Sequence, residues 1–403
     1  MSRPKLEVAD VFRKYGESFL QKYGAATSPE QRRVMHAIEI CRTESLGGHV
    51  DSCDDCGHQV ISYNSCRNRH CPKCQSLAKA KWLEDRQSEV LPVEYYHVVF
   101  TMPDSLAAIA LQNKQVVYNI LFKTAAKTLL TIAADPKHLG AKIGFAAILH
   151  TWGQNLMHHP HLHCVVPGGG LAAHEEKWIS CRSGFFLPVK VLSRLFRRLF
   201  LDSLKQAFQN GELDFYGKNQ PLANPPAFYR LIAACREMEW VVYAKPPFGG
   251  PERVLNYLAR YTHRIAISNH RLVSMKDGKV TFNLKNYKNA GKKETLTLDA
   301  EEFIRRFLLH VLPNQFMKIR YYGFLANCHR TEKIQLCRRL LDCHEMVMDE
   351  KNDPQDWAER FKALTGKDPF QCPKCGHGRL IRIQTLPPLK FDQSRSPPGV
   401  YSL

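Results

Sequence analysis

The stretch HHPHLHCVVPGGG, running from His158 to Gly170, sets four histidines within six residues and then turns apolar. In an extended strand alternate side chains share a face, so His161 and His163 point the same way with Leu162 turned behind them. Two imidazoles on one face are half of a metal site. His150 ends the strand-like run KIGFAAILH, giving His-x10-His-x-His, and a hairpin-like return would bring it beside the pair. Three histidine donors leave coordination positions open for water or substrate, the arrangement of a catalytic ion. The bland alternative is that His158 and His159 belong to a loop and the others are satisfied sheet residues.

A second group sits on the helix predicted after Pro251, where Tyr257 and Tyr261 are spaced i, i+4. Both phenols then project from one face, about 6 Å apart along the axis. Tyrosines at this spacing usually pack in cores, but Asn256, Arg260, His263 and Arg264 make this helix polar. A phenol with a pKa near 10 is a poor nucleophile at neutral pH unless a cation polarises the phosphate it attacks.

The third group is sulfur. Cys53-x2-Cys56 and Cys71-x2-Cys74 are separated by fourteen residues in a segment with little apolar periodicity. Four soft thiolates around one zinc ion would supply the folding energy that this core-poor stretch lacks. Cys66, His70, His49 and His58 are surplus donors nearby. Arg67, Arg69, Lys73 and Lys79 make the module's surface basic, either for phosphate contact or as a solvated face. Cys372-x2-Cys375 lacks an evident partner pair, so no metal is assigned to it.

The elements that must position these groups follow from periodicity and punctuation. Residues 6 to 45 read as helices, the second started by Ser28-Pro29-Glu30. A further helix is expected over 76 to 90. YYHVVFTM, KIGFAAILH, HLHCVV and MEWVVYA read as strands, and 105 to 133, 188 to 211 and 227 to 237 as helices. Lys276-Asp277-Gly278-Lys279 is a hairpin turn. Residues 300 to 345 read as helical and basic, and the tail from Pro388 as disordered.

At 403 residues the chain has room for two or three domains. Its 57 Lys+Arg against 38 Asp+Glu give a formal net charge of +19, which favours a polyanion such as nucleic acid through counterion release. No apolar run approaches the ~18 residues of a spanning segment, so no membrane partner is expected. The N-terminal residues read as an amphipathic helix, not an export signal, and the cysteines as metal ligands plus buried thiols. A reducing cytoplasm is the expected compartment. No GxxxxGK[ST] loop is present, so no ATP-driven step is expected within the chain. The basic run from Lys285 to Lys293, interleaved with Tyr287, could hold a nucleic-acid strand by phosphate contact and stacking.

HPHLHCVVPGGG resembles the histidine-hydrophobe-histidine motif of the HUH endonuclease superfamily. YLARYTHR resembles the paired-tyrosine motif of its bacterial rolling-circle transposases, the family named after insertion sequence ninety-one. YNSCRNRHCPKCQ, HVVFTMP, EEFIRRFLLHVLP and RYYGFLANCHR extend the likeness over roughly residues 30 to 335.

The resemblance implies an α+β fold: a ferredoxin-like antiparallel-sheet nuclease domain, preceded by a helical and zinc-knuckle module and followed by a basic helical region. The boundaries expected are 1–90 for the zinc-binding DNA-binding module, 91–285 for the nuclease, 286–365 for the basic helices and 366–403 for a CxxC-containing, partly disordered tail.

It also implies Tyr257 and Tyr261 as nucleophiles that nick single-stranded DNA at transposon ends and target through 5'-phosphotyrosine links. His150, His161 and His163 would hold Mg2+ or Mn2+, with Gln154, His159 and His97 as alternatives for the third ligand. Structural Zn2+ would sit on Cys53, Cys56, Cys71 and Cys74, with Cys66 and His70 as extra donors. The setting implied is the nucleoid, with unwinding left to a host helicase or replication machinery. The rival readings are a plasmid replication initiator or relaxase with the same chemistry, and a zinc-dependent DNA-binding protein without catalysis.

Overall fold

The computed structural model describes residues 6–75, 89–245, 265–286, 292–343 and 368–389, together with 358, 359, 362 and 366. The helix expected over 76 to 90 falls almost wholly outside them.

The centre is a five-stranded antiparallel sheet. Its strands are β3 (Tyr95–Thr101), β4 (Gly144–Trp152), β5 (His158–Pro167), β8 (Val242–Lys245) and β12 (Ile319–Gly323), in the order β12-β4-β5-β3-β8. Between β3 and β4 lie α3 (Ala107–Gln112) and α4 (Lys114–Ala134); between β5 and β8 lie α5 (Val189–Gln209) and α6 (Pro225–Glu237). This is the split βαβ, ferredoxin-like order with β12 added at one edge.

Because strand side chains alternate, Phe100, Leu149, Leu162 and Cys164 share the face covered by α4 and α5 and join one core with Leu121, Phe122, Phe196 and Phe200. The opposite face carries His97, His150, His161 and His163.

Where one helix was expected over 105 to 133, the chain breaks at Asn113. Its side-chain amide donates to the Ile109 and Asp214 carbonyls and its oxygen accepts from the Asp214 amide, tying the helix joint to a distant loop. Helix α4 is, among the described residues, long and apolar enough to cross a membrane by composition, contrary to the sequence reading. Yet 67% of its most apolar window is buried inside the protein, as core packing requires.

A second core gathers the N-terminal helices and residues 266–311 around a smaller sheet. Helices α1 (Val8–Tyr23) and α2 (Pro29–Glu39) pack with α7 (Ala300–Leu309) on β9 (Leu272–Lys276), β10 (Lys279–Asn286) and β11 (Lys292–Asp299). Ser28 caps α2 through a reciprocal box with Gln31, with Pro29 at the first position. Phe12 meets Phe307 edge to face at 5.3 Å. The predicted turn is present, with Asp277 and Gly278 both at positive φ as a two-residue hairpin demands. Two further hairpins among the described residues pair β1 (Gly48–Cys53) with β2 (Gln59–Tyr63) and β6 (Gly169–Leu171) with β7 (Trp178–Ser180).

Two expectations about the C-terminal third are corrected. A boundary after residue 285 would cut β10, which pairs along its length with β11. The region beyond is not all helix either: between α7 and α8 (Arg330–Leu340), strand β12 closes the central sheet by pairing with β4 from Ile319↔Ile148 to Gly323↔Gly144. Residues Leu380–Leu386 form β13, antiparallel to β1.

Candidate metal centre and cysteine clusters

Register assembles the histidine site. His150 on β4 lies directly opposite His161 on β5, and His163 follows two residues later on the same face. One ring nitrogen from each of the three falls within 4.8 Å of the others. His150 is 1% and His163 8% exposed, while His161 is half-buried, so the cluster is lined deeply and reached past one ring.

Two hydrogen bonds orient the rings. His161 Nδ1 donates to the His159 carbonyl at 2.7 Å, which puts the proton on Nδ1 and makes Nε2 the unprotonated nitrogen. His163 Nδ1 lies 2.7 Å from His97 Nε2, the two rings stacked at 4.9 Å, leaving His163 Nε2 for the cluster. Burial, with smaller contributions from Lys245 and His161, pushes His97 down to about 3, so it is neutral at pH 7. His150 stacks on Trp152 at 4.7 Å.

Of the alternatives for the third position, His97 stands behind His163. His159 pairs with Asp104 at 3.2 Å, and Gln154 supplies its carbonyl to Arg271. His158 belongs to β5 and meets Tyr118 Oη at 2.8 Å. Tyr257 and Tyr261 lie outside the described residues.

The β4–β5 loop is itself anchored by the second core. Leu156 is fully buried there, and His310 Nε2 and Arg306 donate to the Leu156 and Asn155 carbonyls. The hairpin that carries all three histidines is thus held by packing that begins with the N-terminal helices.

The cysteines group differently from the expected pairing. Cys71 and Cys74 cluster with Cys41 and Cys66, while Cys53 and Cys56 cluster with Cys372 and Cys375. The reason is in the fold. Cys41 follows α2 into the second core, where Cys71 and Cys74 also point, whereas Cys53 ends β1, which carries β13 and its knuckle. Sγ separations in the first cluster are 3.7 Å for Cys41–Cys74 and 3.6 Å for Cys66–Cys74.

Cys66 is therefore a full member of the first cluster. Cys41 was missed by spacing, since twenty-four residues separate it from Cys66. His70 is not a member: its Nε2 accepts from the Leu312 amide, and burial pushes it down to about 3. Part of the expected basic face is also engaged. Lys73 pairs with Glu7 at 2.6 Å, and Arg69 donates to the Phe316 and Pro313 carbonyls.

Residues 11–102 match the family described as "Transposase zinc-binding domain", and residues 144–333 match the family described as "Putative transposase". Over 399 residues the chain is 56% identical to "Putative transposase y4qJ" of Sinorhizobium fredii (strain NBRC 101917 / NGR234), covering 98% of this chain and all of that protein. The chain belongs to the transposase family named after insertion sequence ninety-one.

This transposase is also 27% identical over 344 residues to "Transposase for insertion sequence element IS801" of Pseudomonas savastanoi pv. phaseolicola, covering 83% of this chain and 79% of the relative. No solved structure matches the chain. The first cysteine cluster lies wholly within the matched zinc-binding domain, and four thiolates at these separations fit Zn2+. The histidine cluster falls within the second matched segment.

Proposed function

We propose that this transposase cuts and rejoins single-stranded DNA through a tyrosine nucleophile, as in rolling-circle transposition. The observation that supports this reading is the His150, His161 and His163 cluster, in which one ring nitrogen of each lies within 4.8 Å of the others and His161 is the least buried. Three imidazole nitrogens within 4.8 Å of one another suit a divalent ion that keeps positions for phosphate oxygens and water. Mg2+ or Mn2+ held there would polarise the scissile phosphate and offset charge in the transition state.

The chain's own part is nucleophilic. The phenol oxygen of Tyr257 or Tyr261 attacks phosphorus and forms a 5'-phosphotyrosine link, the P–O3' bond breaks, and the released 3'-oxygen takes a proton to become a hydroxyl. The link conserves the phosphodiester's energy for rejoining, so no ATP is consumed in the chemical step. A second tyrosine permits a second cleavage before the first link is resolved. Residues 1–90 would grip DNA while the central sheet cuts it. The work is assigned to the cytoplasm at the nucleoid, with unwinding left to a host helicase or the replication machinery.

The test is incubation of purified protein with end-labelled single-stranded DNA from the element's own termini, with and without Mg2+ or Mn2+, on denaturing gels. A metal-dependent protein–DNA adduct is expected, absent in His161→Ala and in Tyr257→Phe/Tyr261→Phe. DNA that is retarded on native gels but never attached, with either ion, would make the protein a zinc-stapled binder instead.

A further inference from the structure

The two cysteine knuckles that the zinc-binding domain does not unite are built alike. Both read Cys-x2-Cys-Gly-His, at Cys53 to His58 and at Cys372 to His377. In each, the glycine lies in the left-handed region, Gly57 at φ 67° and Gly376 at φ 81°, and its amide closes the turn on the first cysteine's carbonyl. In each, backbone amides point at sulfur: Cys56 N to Cys53 Sγ at 3.5 Å, Lys374 N to Cys372 Sγ at 3.4 Å and Gly378 N to Cys375 Sγ at 3.3 Å. Amide donors aimed at sulfur favour thiolates over thiols.

The two turns face each other from opposite ends of the chain. Cys53 Sγ lies 3.7 Å from Cys375 Sγ and Cys56 Sγ 3.7 Å from Cys372 Sγ, across sequence separations of 322 and 316 residues. A disulfide would hold its sulfurs about 2.05 Å apart, whereas a tetrahedral ion with bonds of about 2.3 Å holds them about 3.8 Å apart.

The approach is close enough to dictate a side chain. A Cβ on Gly378 would overlap Cys53 Sγ, and the Asp54 carboxylate and amide engage the Arg379 backbone on both sides. From there β13 runs antiparallel along β1, from Cys53↔Leu380 to Gly48↔Leu386.

We propose that Cys53, Cys56, Cys372 and Cys375 form a second structural zinc site, separate from the Cys41 cluster, which staples the C-terminal segment 368–389 onto the N-terminal module. The matched zinc-binding domain ends at residue 102 and so contains only half of this site's ligands. The consequence is that the N-terminal module is incomplete until the last part of the chain has been made.

The test uses the full chain, reduced and loaded with zinc, and Cys372→Ser/Cys375→Ser beside it. Metal analysis is expected to show one fewer zinc per chain in the double variant. Hydrogen exchange is expected to show loss of amide protection over 380–386, with 8–39 unchanged. Equal zinc content and equal protection in the two proteins would overturn the proposal. Because the double variant could fail to fold, cobalt titration of the wild-type apoprotein provides a second reading. Thiolate-to-cobalt absorption that saturates at two equivalents supports the proposal, and saturation at one equivalent overturns it.

Discussion

At the scale of single residues, His161 and His97 separate two roles around the same cluster. His161 contributes a nitrogen, and its removal is expected to abolish divalent-ion binding measured by calorimetry. His97 touches His163 only from behind, so His97→Phe leaves three donors but frees His163 to rotate. The expected loss of ion affinity is about 10- to 100-fold. An unchanged affinity in His97→Phe would show that the His97 contact does not orient the ring.

A second residue-scale expectation concerns acid. His70, His158 and His310 are pushed down to about 3, chiefly by burial, against an ordinary value near 6.5. The unfolded chain binds these protons between pH 3 and 6.5 and the folded chain does not, so stability falls as pH drops through that window and is level above it. His310→Gln is expected to reduce the slope of unfolding free energy against pH by about 1.4 kcal/mol per pH unit between pH 4 and 6. Denaturant titrations at several pH values would measure it, and an unchanged slope would count against a neutral buried His310.

At the scale of elements, the added edge strand β12 depends on one backbone position. Gly323 has φ 60°, and a Cβ there would overlap the Ile143 carbonyl, whereas Gly211 at φ 71° has open space around it. Gly323→Ala is therefore expected to cost about 3 kcal/mol or more, and Gly211→Ala only about 1 kcal/mol. Thermal unfolding of the two variants compares them directly, and equal costs would contradict the packing described for β12.

Elements also show what could be read from residues alone. The His161–His163 alternation was legible because a strand has a period of two, and His150 because it ends the neighbouring apolar run. The knuckles were legible as cysteine pairs, but not which pair joins which. Every Cys-x2-Cys looks alike in sequence, and partnership is decided by where β1, β13 and α2 meet in space. Strand β12 was read as part of a helical stretch, since IRYYG is too short to show its own periodicity between two helices. Tyr257 and Tyr261, which the proposed chemistry requires, lie outside the described residues, so their reading rests on spacing and resemblance.

At the scale of the whole molecule, a formal charge of +19 makes DNA binding a salt-dependent quantity. Single strands release about 0.7 counterions per phosphate contact, so about four contacts give a slope near 3 in log Kd against log salt. Affinity for a single-stranded oligonucleotide is then expected to fall about 60-fold between 50 and 200 mM salt, as fluorescence anisotropy would read. A slope near zero would mean that the basic surface does not carry the DNA. The same scale explains why segments distant in sequence matter to the centre: the N-terminal helices, α7 and the β9–β11 sheet share one core, and that core holds Leu156 in the loop between the histidine strands.

The central claim is that tyrosine oxygen becomes covalently joined to DNA beside the histidine cluster. Its most direct measurement is mass spectrometry of the peptide that remains attached to DNA after reaction with Mn2+, nuclease trimming and proteolysis. A 5'-linked nucleotide is expected on Tyr257 or Tyr261, and none in His161→Ala. A linked nucleotide on any other residue, or cleaved DNA with no linked peptide, would contradict it.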